Sequence, residues 1–130
     1  MLNQLLPDMP VPAIAIQGIC EDSRRVKGGD LFCAVAGENT DGRDHIAAAI
    51  GNGAVAVLSE EPLPEKLNAL VPMFAVEGLR SRMSAIASRF YDHPSEALSV
   101  FAVTGTNGKT SYTHLLAQAL SSANVKCGMI

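Results

Sequence analysis

Tryptophan is absent from this 130-residue chain, and aromatic residues make up only 5% of it. A surface that stacks nucleic-acid bases needs exposed aromatic rings, so this composition argues against a single-strand-binding platform. Basic residues are not in excess either, because 10 Lys and Arg stand against 13 Asp and Glu and leave a formal net charge of −3. Without a basic face to displace counterions from phosphates, the chain is not expected to bind nucleic acid.

Long apolar runs are missing as well. None approaches the roughly 20 residues that span a bilayer, and the start of the chain lacks the basic segment of a signal peptide, with Pro7 and Pro10 interrupting its apolar residues. The 3 cysteines, Cys20, Cys33 and Cys127, form no Cys-x-x-Cys pair and show no metal-ligand spacing. An odd number of thiols in an unexported chain indicates reduced, buried cysteines. We therefore expect a cytoplasmic protein without membrane insertion.

Apolar residues account for 48% of the chain, which is enough for a packed core. Short apolar runs alternate with patterns of helical spacing, and this alternation predicts an α/β fold. One helix is predicted from about His45 to Asn52, with Asp44 as its N-cap and Gly53 beyond its end. A second helix is predicted from Leu79 to Tyr91. Strands are predicted at 14–19, 31–35, 54–58 and 73–76.

A break at Asp92-His93-Pro94-Ser95 separates two predicted domains, 1–92 and 93–130, because proline cannot continue the preceding helix. The second domain is predicted to begin with a buried strand at Leu98–Val103. A helix from about Lys109 to Ser122 and the start of another strand at Val125–Ile130 follow. These elements make an unfinished βαβ unit.

A glycine-rich segment, Thr104–Thr110, joins that strand to that helix, which is the setting of a phosphate-binding loop. Glycines let the backbone approach an anion closely, and the helix N-terminus then faces the phosphates. Lys109 would reach the β- and γ-phosphates and the Thr110 hydroxyl would ligate Mg²⁺. The strict motif fails at Val103, which stands where its first glycine belongs. A plain Gly-Asn turn before a helix is the alternative.

Several stretches together resemble the Mur ligase family of peptidoglycan synthesis, and within it most closely the MurE branch. The Phe90-Tyr91 and Pro94-Ser95 stretch and Asn107 in the loop favour that branch over MurF. The order and spacing match from end to end of the chain. The stretches are Asp22-Ser23-Arg24, Gly29–Ala34, Asp41-Gly42-Arg43, Arg89-Phe90-Tyr91, Pro94-Ser95 and Val103–Thr110.

The resemblance implies a three-domain ligase that uses ATP and Mg²⁺. A small N-terminal α/β domain would hold the UDP end of UDP-N-acetylmuramoyl-L-alanyl-D-glutamate, and a central domain would hold ATP. ATP would phosphorylate the D-glutamate carboxylate, and a diamino acid, meso-diaminopimelate or L-lysine, would attack the acyl phosphate. Lys109 would be catalytic and Thr110 would bind the metal. Thr104, Gly105, Thr106, Asn107, Gly108, Lys109 and Thr110 would bind ATP, and Ser23, Asn39 and Thr40 the UDP moiety.

Other interpretations stay open from the sequence. Glu21 and Glu38 depart from the expected family pattern, so the resemblance assigns no role to their side chains. The Arg24, Arg25 and Lys27 cluster faces either a pyrophosphate or solvent. We expect the chain to be the N-terminal part of a monomeric enzyme and inactive alone. The alternatives are a stand-alone UDP-sugar-binding module without catalysis, or a MurF-like ligase.

Overall fold

The chain divides into two compact units, Met1–Ala97 and Leu98–Ile130. The computed structural model describes residues 1–37, 41–68 and 70–130. The first unit extends through a 3-10 helix at Pro94–Ala97, which overlaps the predicted break at residues 92–95. The four strands predicted before that break and the predicted Leu79–Tyr91 helix fall within this first unit, and the glycine-rich segment falls within the second.

An all-parallel, four-stranded sheet forms the centre of the first unit. Its strands are β1 (Gly18–Cys20), β2 (Asp30–Ala34), β3 (Ala56–Ser59) and β4 (Met73–Ala75), in that order across the sheet. The α/β fold predicted from the sequence is therefore confirmed, and the last three strands lie close to their predicted positions.

The first predicted strand, 14–19, is wrong over most of its length, because only Gly18–Cys20 pairs with β2. Upstream of that pairing, the backbone polar groups of Ile14 form hydrogen bonds outside the sheet. The Ile14 amide donates to the Pro12 carbonyl, and the Ile14 carbonyl accepts from the Leu2 amide. These bonds replace a strand ladder, while the Ile14 and Ile16 side chains still pack against the core.

Alternate side chains of the sheet enter two separate cores. Leu31 and Cys33 belong to one buried cluster, whereas Phe32 and Ala34 belong to the other. This is the period of two that a strand imposes on its side chains. Both faces are buried, which explains why the runs Leu31–Ala34 of β2 and Ala56–Leu58 of β3 are apolar without interruption.

Helices cover the two faces. α1 (Leu2–Leu5) and α4 (Leu79–Phe90) lie on the face of Leu31, with Leu2, Leu5, Leu6, Leu79 and Ile86 buried there. α2 (Ile46–Gly51) packs on the opposite face, and Leu67 of α3 (Glu65–Asn68) packs there as well. The predicted Leu79–Tyr91 helix is thus confirmed.

Two arginines of α4 hold the N-terminal segment in place. Arg89 donates a hydrogen bond to the Leu5 carbonyl at 2.9 Å, and Arg82 forms an ion pair with Asp8. The fully buried Leu6 lies in the sequence between Leu5 and Asp8, the two residues that these arginines contact. The segment is therefore part of the core of the first unit.

The N-cap predicted at Asp44 is wrong, because α2 begins at Ile46 and His45 is its N-cap. A 3-10 helix, Gly42–His45, precedes α2, and Asp41 is its N-cap, since the Asp41 carboxylate accepts from the Arg43 amide. The chain therefore begins to coil earlier than the apolar pattern indicates. The predicted glycine beyond the helix end is confirmed, because Gly53 has a φ of 103°.

Two Asp-x-Arg turns, Asp22–Arg24 and Asp41–Arg43, repeat one local design. In each, the aspartate caps a 3-10 helix by accepting from the arginine amide, and it also accepts from the same arginine's guanidinium. These hydrogen bonds lower the pKa of each carboxyl to about 2, with the larger effect from the guanidinium and the smaller from the amide. Both carboxylates therefore stay charged at any physiological pH.

The second unit contains the helix α5 (Lys109–Ser122), whose predicted bounds are confirmed. The strands predicted at Leu98–Val103 and Val125–Ile130 do not form in the described part of the chain. A strand exists only by hydrogen bonding to a neighbour, and no sheet is described within Leu98–Ile130. Val100 is accordingly 78% exposed and Phe101 is 65% exposed.

The prediction of buried cysteines is confirmed at Cys33 and is wrong for Cys20 and Cys127. Cys33 is buried, Cys20 is half-buried and Cys127 is exposed. Burial raises the pKa of the Cys33 thiol to about 12, which makes it unreactive.

Among the described residues, no helix is long and apolar enough to cross a bilayer.

The first testable prediction concerns the N-terminal segment. Replacing the fully buried Leu6 by Ala removes core contacts on the α4 face and leaves a cavity. We expect Leu6→Ala to lower the free energy of unfolding by about 2–5 kcal/mol, measured by urea denaturation. Leu70→Ala, at a side chain that is 69% exposed, is the control and should change it by less than about 0.5 kcal/mol. Equal effects would show that the segment is not part of the core.

The second prediction concerns acid stability. Asp22 and Asp41 have a pKa near 2 in the folded chain against 3.8 ordinarily, so unfolding makes them take up protons more readily. Their contribution to stability is complete above about pH 4 and is lost as the pH falls toward 2. We expect urea midpoints of the Asp22→Asn, Asp41→Asn double variant to fall less over this range than those of the wild type. Asparagine keeps the cap acceptor, so an unchanged pH profile would contradict the assignment.

Candidate functional site

A groove opens at the carboxyl edge of the sheet, where β1 and β2 end and α4 begins. In parallel α/β sheets, ligands bind at this edge, because the loops that follow the strands converge there. The groove has a volume of about 650 Å³, within the range of small-molecule sites. We call it the carboxyl-edge groove. It is lined by Glu21, Asp22, Ser23, Arg24, Val35, Ala36, Gly37, Gly42, His45, Arg80 and Met83.

Ser23 lies in this groove, as its predicted ligand role requires. It is the first residue of the 3-10 helix that Asp22 caps, and it is only 7% exposed. Its carbonyl accepts from the Asn52 side chain at 2.9 Å, which fixes the backbone. Its hydroxyl forms no hydrogen bond with a described residue, so one donor and two acceptor positions are available to a ligand.

The loop after β2 forms the other side of the groove. Ala36 and Asp41 pair as an isolated antiparallel bridge, and the Gly42 amide donates to the Val35 carbonyl. A β-carbon at Gly42 would lie 2.7 Å from that carbonyl oxygen, so only glycine fits. Asn39 and Thr40, predicted to contact the UDP moiety, and Glu38 lie outside the described residues.

The carboxylates of the two Asp-x-Arg turns are fully engaged with their own arginines. Asp22 lines the groove together with Arg24, and Asp41 flanks it together with Arg43. A carboxylate with a pKa near 2 is a poor general base at neutral pH. These turns therefore shape a binding groove and do not supply acid–base chemistry.

Sequence reasoning missed two lining residues, Arg80 and Met83, both in the first turns of α4. The Glu60 carboxylate accepts from the Leu79 amide at 3.0 Å and so places the start of α4 beside the groove. No motif marks these positions in the sequence. Only the path of the chain across the sheet brings α4 to the ends of β1 and β2.

A second groove, of about 1010 Å³, runs along the outer side of β1 and faces α4. We call it the edge-strand groove. Arg25 and Lys27 line it, together with Tyr91, whereas Arg24 lines both grooves. The predicted basic cluster is therefore divided between two surfaces. Cys20 also lines the edge-strand groove, and its thiol donates a hydrogen bond to the Asp22 carbonyl.

The predicted phosphate loop, Thr104–Thr110, lies in the second unit. Gly105 and Gly108 have φ values of 148° and 78°, which other residues adopt only with strain. Gly108 is the N-cap of α5 and Lys109 is its first residue. The Lys109 ammonium group donates to the Gly105 carbonyl at 2.5 Å, so the loop already curves around a cation.

Thr110 is the second residue of α5, and its hydroxyl has no hydrogen-bond partner among the described residues. An unengaged hydroxyl at this point suits a role as one ligand of a phosphate-bound Mg²⁺. In the described ranges no group of three or more His, Cys, Asp or Glu could hold a metal ion by itself.

Comparison with curated proteins shows close relatives. The chain is 49% identical over 133 aligned residues to the UDP-N-acetylmuramoyl-L-alanyl-D-glutamate--2,6-diaminopimelate ligase of Ectopseudomonas mendocina, covering 99% of this chain and 26% of that protein. It is 47% identical to the ligase of the same description from Pseudomonas aeruginosa, again covering 99% and 26%. The chain thus spans about a quarter of the length of these relatives.

Comparison with solved structures gives the same family at lower identity. A crystal structure of MurF from Acinetobacter baumannii matches with a TM-score of 0.67 and 27% identity, covering 92% of this chain and 27% of that one. A structure of a UDP-N-acetylmuramoyl-L-alanyl-D-glutamate--2,6-diaminopimelate ligase matches with a TM-score of 0.60 and 28% identity, covering 92% and 26%.

A family model described as "Mur ligase family, catalytic domain" matches residues 15–91, more than half of the chain. The matched segment contains the whole sheet, both Asp-x-Arg turns and α4. It ends before the phosphate loop, so the family assignment does not depend on that motif. The resemblance read from the sequence is therefore confirmed, and the chain belongs to the Mur ligase family.

Proposed function

We propose that this chain is the N-terminal part of an ATP-dependent ligase that adds a diamino acid to UDP-N-acetylmuramoyl-L-alanyl-D-glutamate in the cytoplasm. The observation that carries the proposal is the buried Ser23 with its unengaged hydroxyl in the carboxyl-edge groove. The names of the relatives support 2,6-diaminopimelate over lysine as the added amino acid. A monomeric state remains a prediction.

The first unit would bind the uridine diphosphate end of the substrate. Ser23 would hydrogen bond to the uridine portion, with Asn39 and Thr40 as its predicted companions. Domain bounds of 1–92 for substrate binding and 93–130 for ATP binding stay predictions. The aspartate–arginine hydrogen bonds of the turns at Asp22 and Asp41 support a preformed site. Side chains that are already hydrogen bonded lose little conformational entropy when a ligand binds.

The second unit would bind the phosphates of ATP with Thr104–Thr110. On binding, the Lys109 ammonium would leave the Gly105 carbonyl and reach the β- and γ-phosphates. The Thr110 hydroxyl would ligate Mg²⁺, which offsets charge on the phosphates when it is bound. Transfer of the γ-phosphoryl group activates the D-glutamate carboxylate, and the incoming amine then displaces phosphate to form the amide. Lys109 would stabilise charge during the first of these steps.

A third prediction tests the substrate groove. Titration of the ¹⁵N-labelled chain with UDP-N-acetylmuramoyl-L-alanyl-D-glutamate should shift the amide signal of Gly42, which lines the groove. We expect Ser23→Ala to weaken this binding about 3–10-fold, since one neutral hydrogen bond contributes about 0.5–1.5 kcal/mol. Ser84→Ala is the matched control, because Ser84 is exposed and lines the other groove. Equal affinities for wild type and Ser23→Ala would count against the proposed role.

A fourth prediction tests the phosphate loop in the complete enzyme. We expect Lys109→Ala to lower kcat for diaminopimelate ligation by about 10²–10³-fold, because a preorganised charge on the transferring phosphoryl group is lost. Substrate binding at the carboxyl-edge groove should be retained. Lys126→Ala, at an exposed lysine beyond α5, should leave kcat unchanged. The 130-residue chain alone should form no product.

The same assay separates the two alternatives. A complete protein that binds the UDP-sugar but releases no phosphate from ATP would be a binding module without catalysis. A complete protein that adds D-alanyl-D-alanine and not diaminopimelate would be a MurF-like ligase, an alternative that the MurF structural matches keep relevant. The higher identity to the diaminopimelate ligases favours the first proposal over both.

A further inference from the structure

Charge in the carboxyl-edge groove is distributed unevenly. Its charged lining residues are Glu21, Asp22, Arg24 and Arg80, and His45 lines it as well. Asp22 and Arg24 form an ion pair at 2.8 Å, so their charges cancel. Arg80 has no carboxylate partner among the described residues. It is therefore the cation of the groove that is free to meet an anionic ligand.

Arg80 is also held in position. Its Nη1 donates to the Ala36 carbonyl at 3.2 Å, across the groove from its own helix. Ala36 is itself fixed by its bridge to Asp41. A guanidinium carries five N–H donors, so a single bond to a carbonyl orients the planar group and leaves most of its donors available.

No carboxylate among the described residues pairs with this guanidinium. α4 itself contains no acidic residue, Glu77 before it is exposed, and the Glu60 carboxylate accepts from the Leu79 amide. Asp22 and Asp41 each have their own arginine. Glu21 lines the same groove and, having the same charge as a phosphate, disfavours an anion beside itself.

We propose that Arg80 binds a phosphate oxygen of the nucleotide that occupies the carboxyl-edge groove. This inference rests on the proposed function and adds a residue that positions the diphosphate. Arginine suits the task, because its planar fork matches phosphate oxygens and keeps its charge at every relevant pH. Ser23 would then bind the uncharged nucleoside portion. Arg80 would set the direction in which the rest of the bound substrate extends out of the groove.

The test compares uridine, UMP and UDP on the 130-residue chain. Backbone amide signals of Gly42 report binding in the groove, whereas those of Gly105 and Gly108 report any binding at the phosphate loop. For the wild type we expect affinity at the groove to rise from uridine to UDP. Raising the salt concentration should weaken UDP binding and leave uridine binding unchanged.

Arg80→Gln is the informative variant, because glutamine retains a donor for the Ala36 carbonyl and loses the charge. We expect it to lower groove affinity for UDP about tenfold, as for a lost charge-assisted hydrogen bond, with uridine affinity unchanged. Arg80→Lys should recover part of the loss. Arg25→Gln is the matched control, since Arg25 is exposed and lines the edge-strand groove.

Each outcome decides between the claims. Loss of UDP affinity alone supports the proposal. Unchanged UDP affinity in Arg80→Gln overturns it, and so does an equal loss for uridine and UDP, which would show that Arg80 only shapes the groove. In both cases, uridine binding by the wild type would leave the proposed function standing. Failure of the wild type to bind uridine and UDP at Gly42 would overturn both.

Discussion

A parallel sheet whose two faces are both apolar must be covered on both sides, and the architecture of the first unit follows from this requirement. β2 and β3 contribute side chains to two cores in alternation, so neither face can be left to solvent. α2 covers one face and α4, joined by α1, covers the other. The N-terminal segment is part of that cover. It is held there by the ion pair of Arg82 with Asp8 and by the hydrogen bond of Arg89 to the Leu5 carbonyl.

The site follows from the same arrangement. Parallel strands end at a common edge, so the turn after β1 and the loop after β2 meet there and bound one groove. Both are stiffened by an Asp-x-Arg turn in which the aspartate is used twice, as a cap and as an ion-pair partner. The result is a shaped surface in which the two turn aspartates are already paired with their own arginines, so they contribute to its shape and not to proton transfer.

The second unit behaves differently because it has no such sheet. Its helix forms where the sequence predicts it, since a helix satisfies its backbone internally. The apolar segments on either side need partner strands that are not described within Leu98–Ile130. The predicted phosphate loop has positive φ at Gly105 and Gly108, although no strand directly precedes it among the described residues.

Features that depend on neighbours along the chain could be predicted from the amino-acid order: the α/β class, the positions of β2, β3 and β4, the bounds of α4 and α5, and the glycine beyond α2. The family could be predicted as well, through short motifs of fixed spacing such as Asp22-Ser23-Arg24. Features that depend on contacts between distant residues became visible in the folded chain. The first strand is short because its upstream backbone bonds elsewhere, and Leu98–Val103 pairs with no strand in the described part of the chain. Arg80 reaches the groove because Glu60 places the start of α4 there, and no periodicity or motif in the sequence encodes that contact.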